Sequence, residues 1–437
     1  MSSDSNLLAG ERMYSLARDL WRHPRSITGN GLRSTLKLLK SKLPDLQIHE
    51  IPSGSKVGDW TIPDEWNLQR ARLWDPSGQV VCDSEWNNLH VVGYSEPFSG
   101  VLTLEELQAH LHSLPDQPDA IPYVTSYYER RWGFCLTDEV RKNLLPGLYR
   151  VEIDSTLQPG SLTYADLKLP GSSVREILVS TYVCHPSMAN NELSGPVVAV
   201  ELAQDLSKMD ERRYSYRFVF APETIGAVAY IHKNLDELKQ RVVAAFNLTC
   251  VGDDRTYSFL PTRDGDHEID RVARHVLRHL ATSHHEYPWE SRGSDERQYS
   301  APLVDIPMVS IMRSKYWEYP EYHTSLDDLE RVVSPAGLQG GFEATRRAIE
   351  ILERDSLPKS MVIGEPMLSR RGLYSSLGAG RFSSSPQHLL DVWAYCDGTL
   401  TTLDIADRLG RRFDEVENLI QQLETLEIVS LTPNFLR

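Results

Sequence analysis

Two histidines and several carboxylates fall at the ends of apolar runs in this chain, a pattern suited to metal-assisted hydrolysis. His185 ends the stretch Thr181-Tyr-Val-Cys-His185, directly after the apolar run Glu176–Ser180, which reads as a buried strand. The Asn/Ser-rich turn Asn190–Ser194 follows, then Gly195 and the apolar run Pro196–Val200, which opens a helix. In open α/β sheets, side chains at the carboxyl ends of strands face the crevice that holds ligands. Glu223 is placed in the same way, after Phe218-Val-Phe-Ala-Pro222. Asp295 lies in the charged loop Gly293–Tyr299, and His323 in the loop Tyr319–Asp328. Two imidazoles and a carboxylate suit one Zn²⁺ with an open position for water. Glu223 is either a ligand or, with its pKa raised by burial, a general base. Each residue also has a plainer reading. His323 could cap a helix, Glu223 could cap the helix after it, and Asp295, Glu296 and Arg297 could form one solvated ion-pair cluster. Their joint occurrence at successive strand–helix junctions is what favours a metal site. Cys184 sits beside His185, but neighbours on a strand point to opposite faces, so it reads as a packing residue and not a nucleophile.

The elements that must position these groups divide into three blocks. Leu8, Met13, Leu16, Ala17 and Leu20 mark a helix ended by Pro24, and Leu32, Leu36, Leu39 and Leu43 mark a second. A strand follows at Gln47–Ile51. From about Gly54 to Trp132 the chain is rich in Trp, Pro, Gly, Asn and Tyr, with short alternating strands and turns such as Asp75-Pro-Ser-Gly78. This reads as a β-rich insert. Strand–helix alternation then resumes, with strands expected at Tyr149–Ile153, Glu176–Ser180, Tyr216–Ala221, Val242–Leu248 and Met308–Met312. Helices are expected at Pro196–Leu206, Glu268–Ala281 and Ala336–Leu352. Such alternation argues a sheet covered on both faces. After a Ser/Gly-rich linker, Ser375–Pro386, three short helices and a strand at Ile428–Leu431 make a winged-helix pattern. The expected domains are 1–53 with 133–368, the insert 54–132, and the winged helix 384–437.

Bulk properties exclude several classes. A formal net charge of −15 argues against a protein that chiefly grips a nucleic-acid backbone. The expected recognition helix, Phe413–Leu426, is itself acidic, and DNA-reading helices need cationic and amide side chains. Nucleic acid is therefore not the expected partner of a module that also carries Arg408, Arg411, Arg412 and Arg437. No apolar run is long enough to span a membrane. The five scattered cysteines and the absence of a basic, apolar leader point to a reducing, cytoplasmic setting.

The motifs also resemble the zinc aminopeptidase family of the bacterial leucyl aminopeptidase and glutamate carboxypeptidase type. That family shows His-x-Asp, Ala-Asn-Asp-Asn-x-Ser-Gly, Glu-Glu-x-Gly, Asp-x-Val-Gly and Tyr-His-Thr in order. Here the corresponding stretches are Cys184-His-Pro-Ser187, Ala189-Asn-Asn-Glu-Leu-Ser-Gly195, Pro222-Glu-Thr-Ile-Gly226, Thr249-Cys-Val-Gly252 and Tyr322-His-Thr324. A closer resemblance is to a subgroup of unassigned function with an inserted β domain and a C-terminal winged helix. The resemblance implies an α/β fold, a three-layer aminopeptidase-like mixed sheet with these two additions. Three of the family's anionic ligand positions are neutral here: Asn191, Thr224 and Thr249. A two-zinc centre is therefore not expected.

What remains implies one Zn²⁺ per chain, held by His185, His323 and a third ligand, Glu192 first and Asp295 second, with Glu223 as general base. Asn191, Asp295, Arg313 and Tyr322 are the expected substrate contacts. Arg313 would either pair with a substrate carboxylate or serve a structural ion pair. The expected activity is hydrolysis of an amide bond next to a free amine, on a small peptide or aminoacyl substrate in a biosynthetic pathway. The insert would roof the crevice, and the winged helix or the insert would offer a surface for self-association. The alternative is a catalytically silent scaffold or metabolite sensor.

Overall fold

The computed structural model describes residues 8–371 and 385–435. The linker Ser375–Pro386, apart from its last two residues, and Arg437 lie outside the described residues. The chain divides into two compact units, residues 1–267 with 283–345, and residues 268–282 with 346–437.

The larger unit is built on an eight-stranded mixed sheet. Its spatial order is Gln47–Pro52, Ser161–Leu169, Ser215–Ala221, Glu176–Tyr182, Val242–Asn247, Met308–Met312, Ser258–Leu260 and His285–Glu286. The four central strands, from Ser215–Ala221 to Met308–Met312, run parallel. Every residue of Glu176–Tyr182 is buried, as a strand covered on both faces requires. Helices Ser194–Ser207 and Ile225–Arg241 pack on the sheet, and Ala9–Leu20 packs along Ser194–Ser207 through Met13, Leu16, Ala17 and Leu20. The strand Ser161–Leu169 was not expected. It pairs antiparallel with both neighbours, so its partners are distant in sequence.

A second, antiparallel sheet joins Val80–Asp83, Glu65–Trp74, Leu148–Gln158 and Phe98–Thr103. The segment expected to open the α/β alternation, Tyr149–Ile153, thus belongs to this β-rich layer. Its burial alternates residue by residue, the mark of a strand with one wet face. The two sheets share one apolar core, in which Trp66, Tyr149 and Val151 join Tyr164, Leu178 and Tyr182.

The smaller unit holds helices Glu268–Leu280, Ser385–Trp393, Thr402–Leu409 and Phe413–Thr425. Thr401 and Asp404 form a reciprocal cap on Thr402–Leu409, and Gly410 ends that helix in the left-handed region. The terminal strand Val429–Pro433 pairs with Ser356–Ser360. The unit therefore takes up a strand that precedes residue 384, and a helix expected to pack on the large sheet. His275 and Arg278 of that helix bond Asp407.

Candidate active site

His185 leaves the end of the strand Glu176–Tyr182 between two carboxylates. Its Nδ1 lies 3.2 Å from Glu192 Oε2, and its Nε2 lies 3.5 Å from Glu223 Oε2. Glu192 Oε2 also accepts the backbone N–H groups of His185 at 2.9 Å and Cys184 at 3.1 Å. Its other oxygen lies 3.2 Å from Nε of Arg25, and both side chains are wholly buried. Arg25 in turn donates to the carbonyl of His185 at 3.0 Å. A buried row of ionisable groups thus runs from Arg25 through Glu192 and His185 to Glu223. Burial alone would lower the pKa of His185, but the Glu192 hydrogen bond and the two carboxylate charges raise it.

Glu192, expected as a third metal ligand, lies on the Nδ1 side of His185: its Oε2 meets Nδ1 and the backbone N–H, and its Oε1 is buried beside Arg25 without a hydrogen bond among the described residues. It holds the imidazole from behind, the role carboxylates play behind metal-binding histidines. The one close cluster of metal-type donors among the described residues, Cys184, His185 and Glu192, uses the same back side. Burial pushes the Cys184 thiol well up, and Arg25 places a cation 3.2 Å from Glu192 on this side. The Sγ of Cys184 does lie 3.6 Å from His185 Nδ1, since the strand has already ended at Tyr182. That sulfur accepts the Glu223 N–H and is not placed as a nucleophile.

The turn after His185 is a single π-helical turn, Ala189–Leu193, running into the helix Ser194–Ser207. Asp327 caps it, accepting from the N–H groups of Asn190 at 2.7 Å and Asn191 at 2.9 Å. Gly195 lets the helix start press on the sheet, since a Cβ there would stand 2.3 Å from the carbonyl of Leu248. Asn191 is held within the protein through its oxygen, while its Nδ2 is buried without a hydrogen-bond partner among the described residues. Its Oδ1 accepts from the Tyr182 hydroxyl at 2.8 Å, and that hydroxyl also shares a hydrogen bond with Thr249 at 2.6 Å. Two of the three neutral replacements are therefore bound together by a buried phenol.

Glu223 and His323 face one cavity of about 550 Å³, lined also by His185, Tyr123, Arg297 and Trp60. Burial raises the Glu223 pKa, against the opposing charges of His185 and Arg297. Behind it, Asp295 Oδ1 accepts the Thr224 N–H at 2.7 Å, and Asp295 Oδ2 is buried without a hydrogen-bond partner among the described residues. Burial and the Glu223 charge push the Asp295 pKa well up. Two such carboxyls resist ionising together.

His323 packs under Tyr322, ring centroids 3.9 Å apart, and its Nε2 is buried with no partner among the described residues. Burial and the charge of His185 lower its pKa to about 3, so it stays neutral, the form that binds metals. Ser187, Thr224, Cys250 and His323 all adopt positive φ. Such strain in residues other than glycine gathers where a fold holds side chains in set directions.

Arg313 is not brought to this cavity wall. Its Nε donates to the carbonyl of Asp253 at 2.6 Å, and its guanidinium lies 3.9 Å from the Tyr257 ring centroid, so the structural role applies. Several contributors were missed. Tyr123 stands with ring centroids 5.1 Å from His185 and 5.2 Å from His323, and its N–H bonds the His323 carbonyl at 2.9 Å. Arg25, Tyr182 and Asp327 carry no local sequence signal, since their partners are up to about 170 residues away. Arg297 had been seen only as part of a charged cluster.

This fold is shared with zinc aminopeptidases. An aminopeptidase from Bacillus subtilis superposes with a TM-score of 0.56 at 14% identity, covering 78% of this chain and 94% of its own. A peptidase M28 precursor from Shewanella amazonensis gives 0.55 at 14% identity, covering 78% and 93%. Residues 14–355 match the family described as a domain of unknown function (DUF4910), and the chain belongs to that family. Residues 356–431 match a winged helix-turn-helix. A Clostridium acetobutylicum protein provisionally named for polysaccharide biosynthesis, with an aminopeptidase-like domain, is 39% identical over 97% of this chain and 96% of its own. A crystal structure from the same organism, provisionally named a peptidase, has a TM-score of 0.90 at 38% identity and covers 97% and 96%. No helix among the described residues is long and apolar enough to cross a membrane.

Proposed function

We propose that the chain is a metal-dependent hydrolase of an amide bond in a small aminoacyl or peptide-like molecule. The observation that carries this is the pair His185 and Glu223, in contact across Nε2 at the wall of a cavity that also presents the unpartnered Nε2 of His323. We assign the two imidazoles to a single ion, with their ring centroids 5.5 Å apart. Tyr182, hydrogen-bonded to both Asn191 and Thr249, leaves no anionic pair to hold a second. His185 and His323 are the ligands in this reading, and Zn²⁺ is the ion that two imidazoles beside one carboxylate, Glu223, suit best. A divalent ion bound there would supply a water of lowered pKa and polarise the scissile carbonyl.

Glu223 takes the proton from the attacking water as oxygen bonds to the carbonyl carbon. It then delivers that proton to the leaving nitrogen as the C–N bond breaks. Asp295 positions Glu223 through the Thr224 N–H, and burial keeps the Glu223 pKa high enough to hold the proton between the two steps. Tyr123 and Tyr322 shield the two imidazoles from water. A role for the relative in polysaccharide biosynthesis agrees with a small-molecule substrate.

The test is metal content by elemental mass spectrometry together with hydrolysis of an aminoacyl-amide panel, on wild type, His185→Ala and Glu223→Gln. One ion per chain, lost in His185→Ala and retained in an inactive Glu223→Gln, is the expected result. No ion after zinc addition, with no turnover, would reject the hydrolase and leave a binding scaffold.

A further inference from the structure

Arg297 projects from the short helix Glu296–Tyr299 into the wall of the cavity. It is exposed, yet fixed: one Nη2 donates to the Thr224 hydroxyl at 2.8 Å. Thr224 is itself held, by its φ of +62° and by Asp295. Other arginines of this unit are matched with carboxylates, Arg25 with Glu192, Arg217 with Glu176 and Arg255 with Glu321. Arg297 makes no ion pair among the described residues, and its Nε and Nη1 donate no hydrogen bond there. An anchored guanidinium with one open edge, facing a cavity, is arranged to receive a planar or tetrahedral anion. It matters more here because the chain carries a formal net charge of −15, which works against anion capture elsewhere. Trp60 and Tyr128 line the same cavity with 38% and 57% of their surface exposed, and their rings stand 6.1 Å apart. They offer apolar faces for the body of the molecule that carries the anion.

We propose that Arg297 selects the substrate by binding an anionic group, a carboxylate or a phosphate, next to the amide that is cleaved. This rests on the amide-hydrolase reading and sharpens it: the molecule is an acidic amide, and its charge docks on the Arg297 side of Glu223. The open edge of the fork supplies charge-assisted hydrogen bonds, so an anionic ligand gains about tenfold over its neutral counterpart.

Three small probes test this by titration followed with saturation-transfer NMR: acetylglycine, its neutral amide acetylglycinamide, and N-acetylaminomethylphosphonate. In wild type, one or both anions bind about tenfold more tightly than the neutral amide. The better of the two identifies carboxylate or phosphate as the docking group. Arg297→Gln erases the preference, and Arg297→Lys restores part of it, which a merely structural arginine would not show. Arg297 is exposed, and an unchanged melting temperature in both variants verifies that the fold is intact. Equal binding of acetylglycine, the phosphonate and acetylglycinamide would overturn the role of Arg297 while leaving amide hydrolysis standing. No binding of any of the three would also overturn it, and the metal and turnover assay above would then decide the hydrolase reading separately.

Discussion

Glu192→Gln would test whether the site is held from behind. Arg25 and Glu192 both have side-chain exposures of 0%. The substitution keeps the shape of Glu192 and removes its charge. A single amide oxygen must then replace a carboxylate whose one oxygen accepts the Cys184 and His185 N–H groups and whose other lies 3.2 Å from Arg25 Nε as an ion pair. Arg25 is left as a buried cation with no counter-charge, which costs about 3–5 kcal/mol. The larger unit spans about 330 residues. At about 2.1 cal/mol/K per residue its unfolding entropy is about 0.7 kcal/mol/K, so the loss appears as a fall of about 4–7 °C in Tm. Arg25→Met strands Glu192 instead and is expected to cost a similar amount. The double variant has neither charge, and its loss should fall short of the sum by about 2 kcal/mol or more. Calorimetry on the full chain measures all four proteins. Metal affinity should fall about 10–100-fold in Glu192→Gln, because His185 loses the partner that orients its ring. Additive losses in the double variant, or a Tm within about 1 °C of wild type in Glu192→Gln, would refute this account.

Glu223→Gln should lower the rate constant of hydrolysis by about 10²–10⁴ with bound metal unchanged, read from turnover and elemental analysis on the same sample. Tyr182→Phe leaves Asn191 Oδ1 and the Thr249 hydroxyl short of a buried partner, at a cost of about 1–3 kcal/mol in urea unfolding. Burial raises the Asp327 pKa from 3.8 to about 6 against the pull of its three hydrogen bonds, so the folded state holds a proton that the unfolded state has released. The associated stability, about 3 kcal/mol, is therefore full below pH 3.8 and lost as pH rises through about 6. Asp327→Asn should flatten that part of the stability–pH curve, and an unchanged slope would show that the proton resides elsewhere.

The parts of this site that are legible in the sequence share one property: their signal is local. His185 and Glu223 follow apolar runs of strand length, and a strand's carboxyl end is a place that sequence can mark. The parallel strands around Glu176–Tyr182 were visible for the same reason. Tyr149–Ile153 was assigned to the wrong sheet because alternation says that a strand has one wet face, not which strands it joins. Ser161–Leu169 went unseen because its pairing is set by two partners far along the chain. The placement of Glu192 is a related case. Motif order placed a carboxylate next to His185, and only the tertiary contact with Arg25 shows on which side of the ring it lies. Arg313 and Arg297 make the same point in opposite senses. Both are loop cations near motif residues, but one is spent on Asp253 and Tyr257, and the other is left open to the cavity.

The loss of three anionic positions reads differently once the neighbours are included. Buried carboxylates with no cation beside them are costly. At Asn191 and Thr249 the charges are gone, and the Tyr182 hydroxyl bonds the neutral side chains that remain. At Thr224 the hydroxyl serves Arg297, so a position beside the reacting carboxylate now supports a cation. Glu192 persists beside Arg25 and His185 and Glu223 beside His185, whereas Asp295 persists with one buried oxygen unpartnered among the described residues. A decaying site would be expected to lose its buried charges without such pairing, because nothing would select against the orphaned groups except stability. The pairing instead keeps one oriented imidazole, one carboxylate of raised pKa and one open cation around a single cavity, the groups that the proposed cleavage of an acidic amide uses together with His323 and a bound ion.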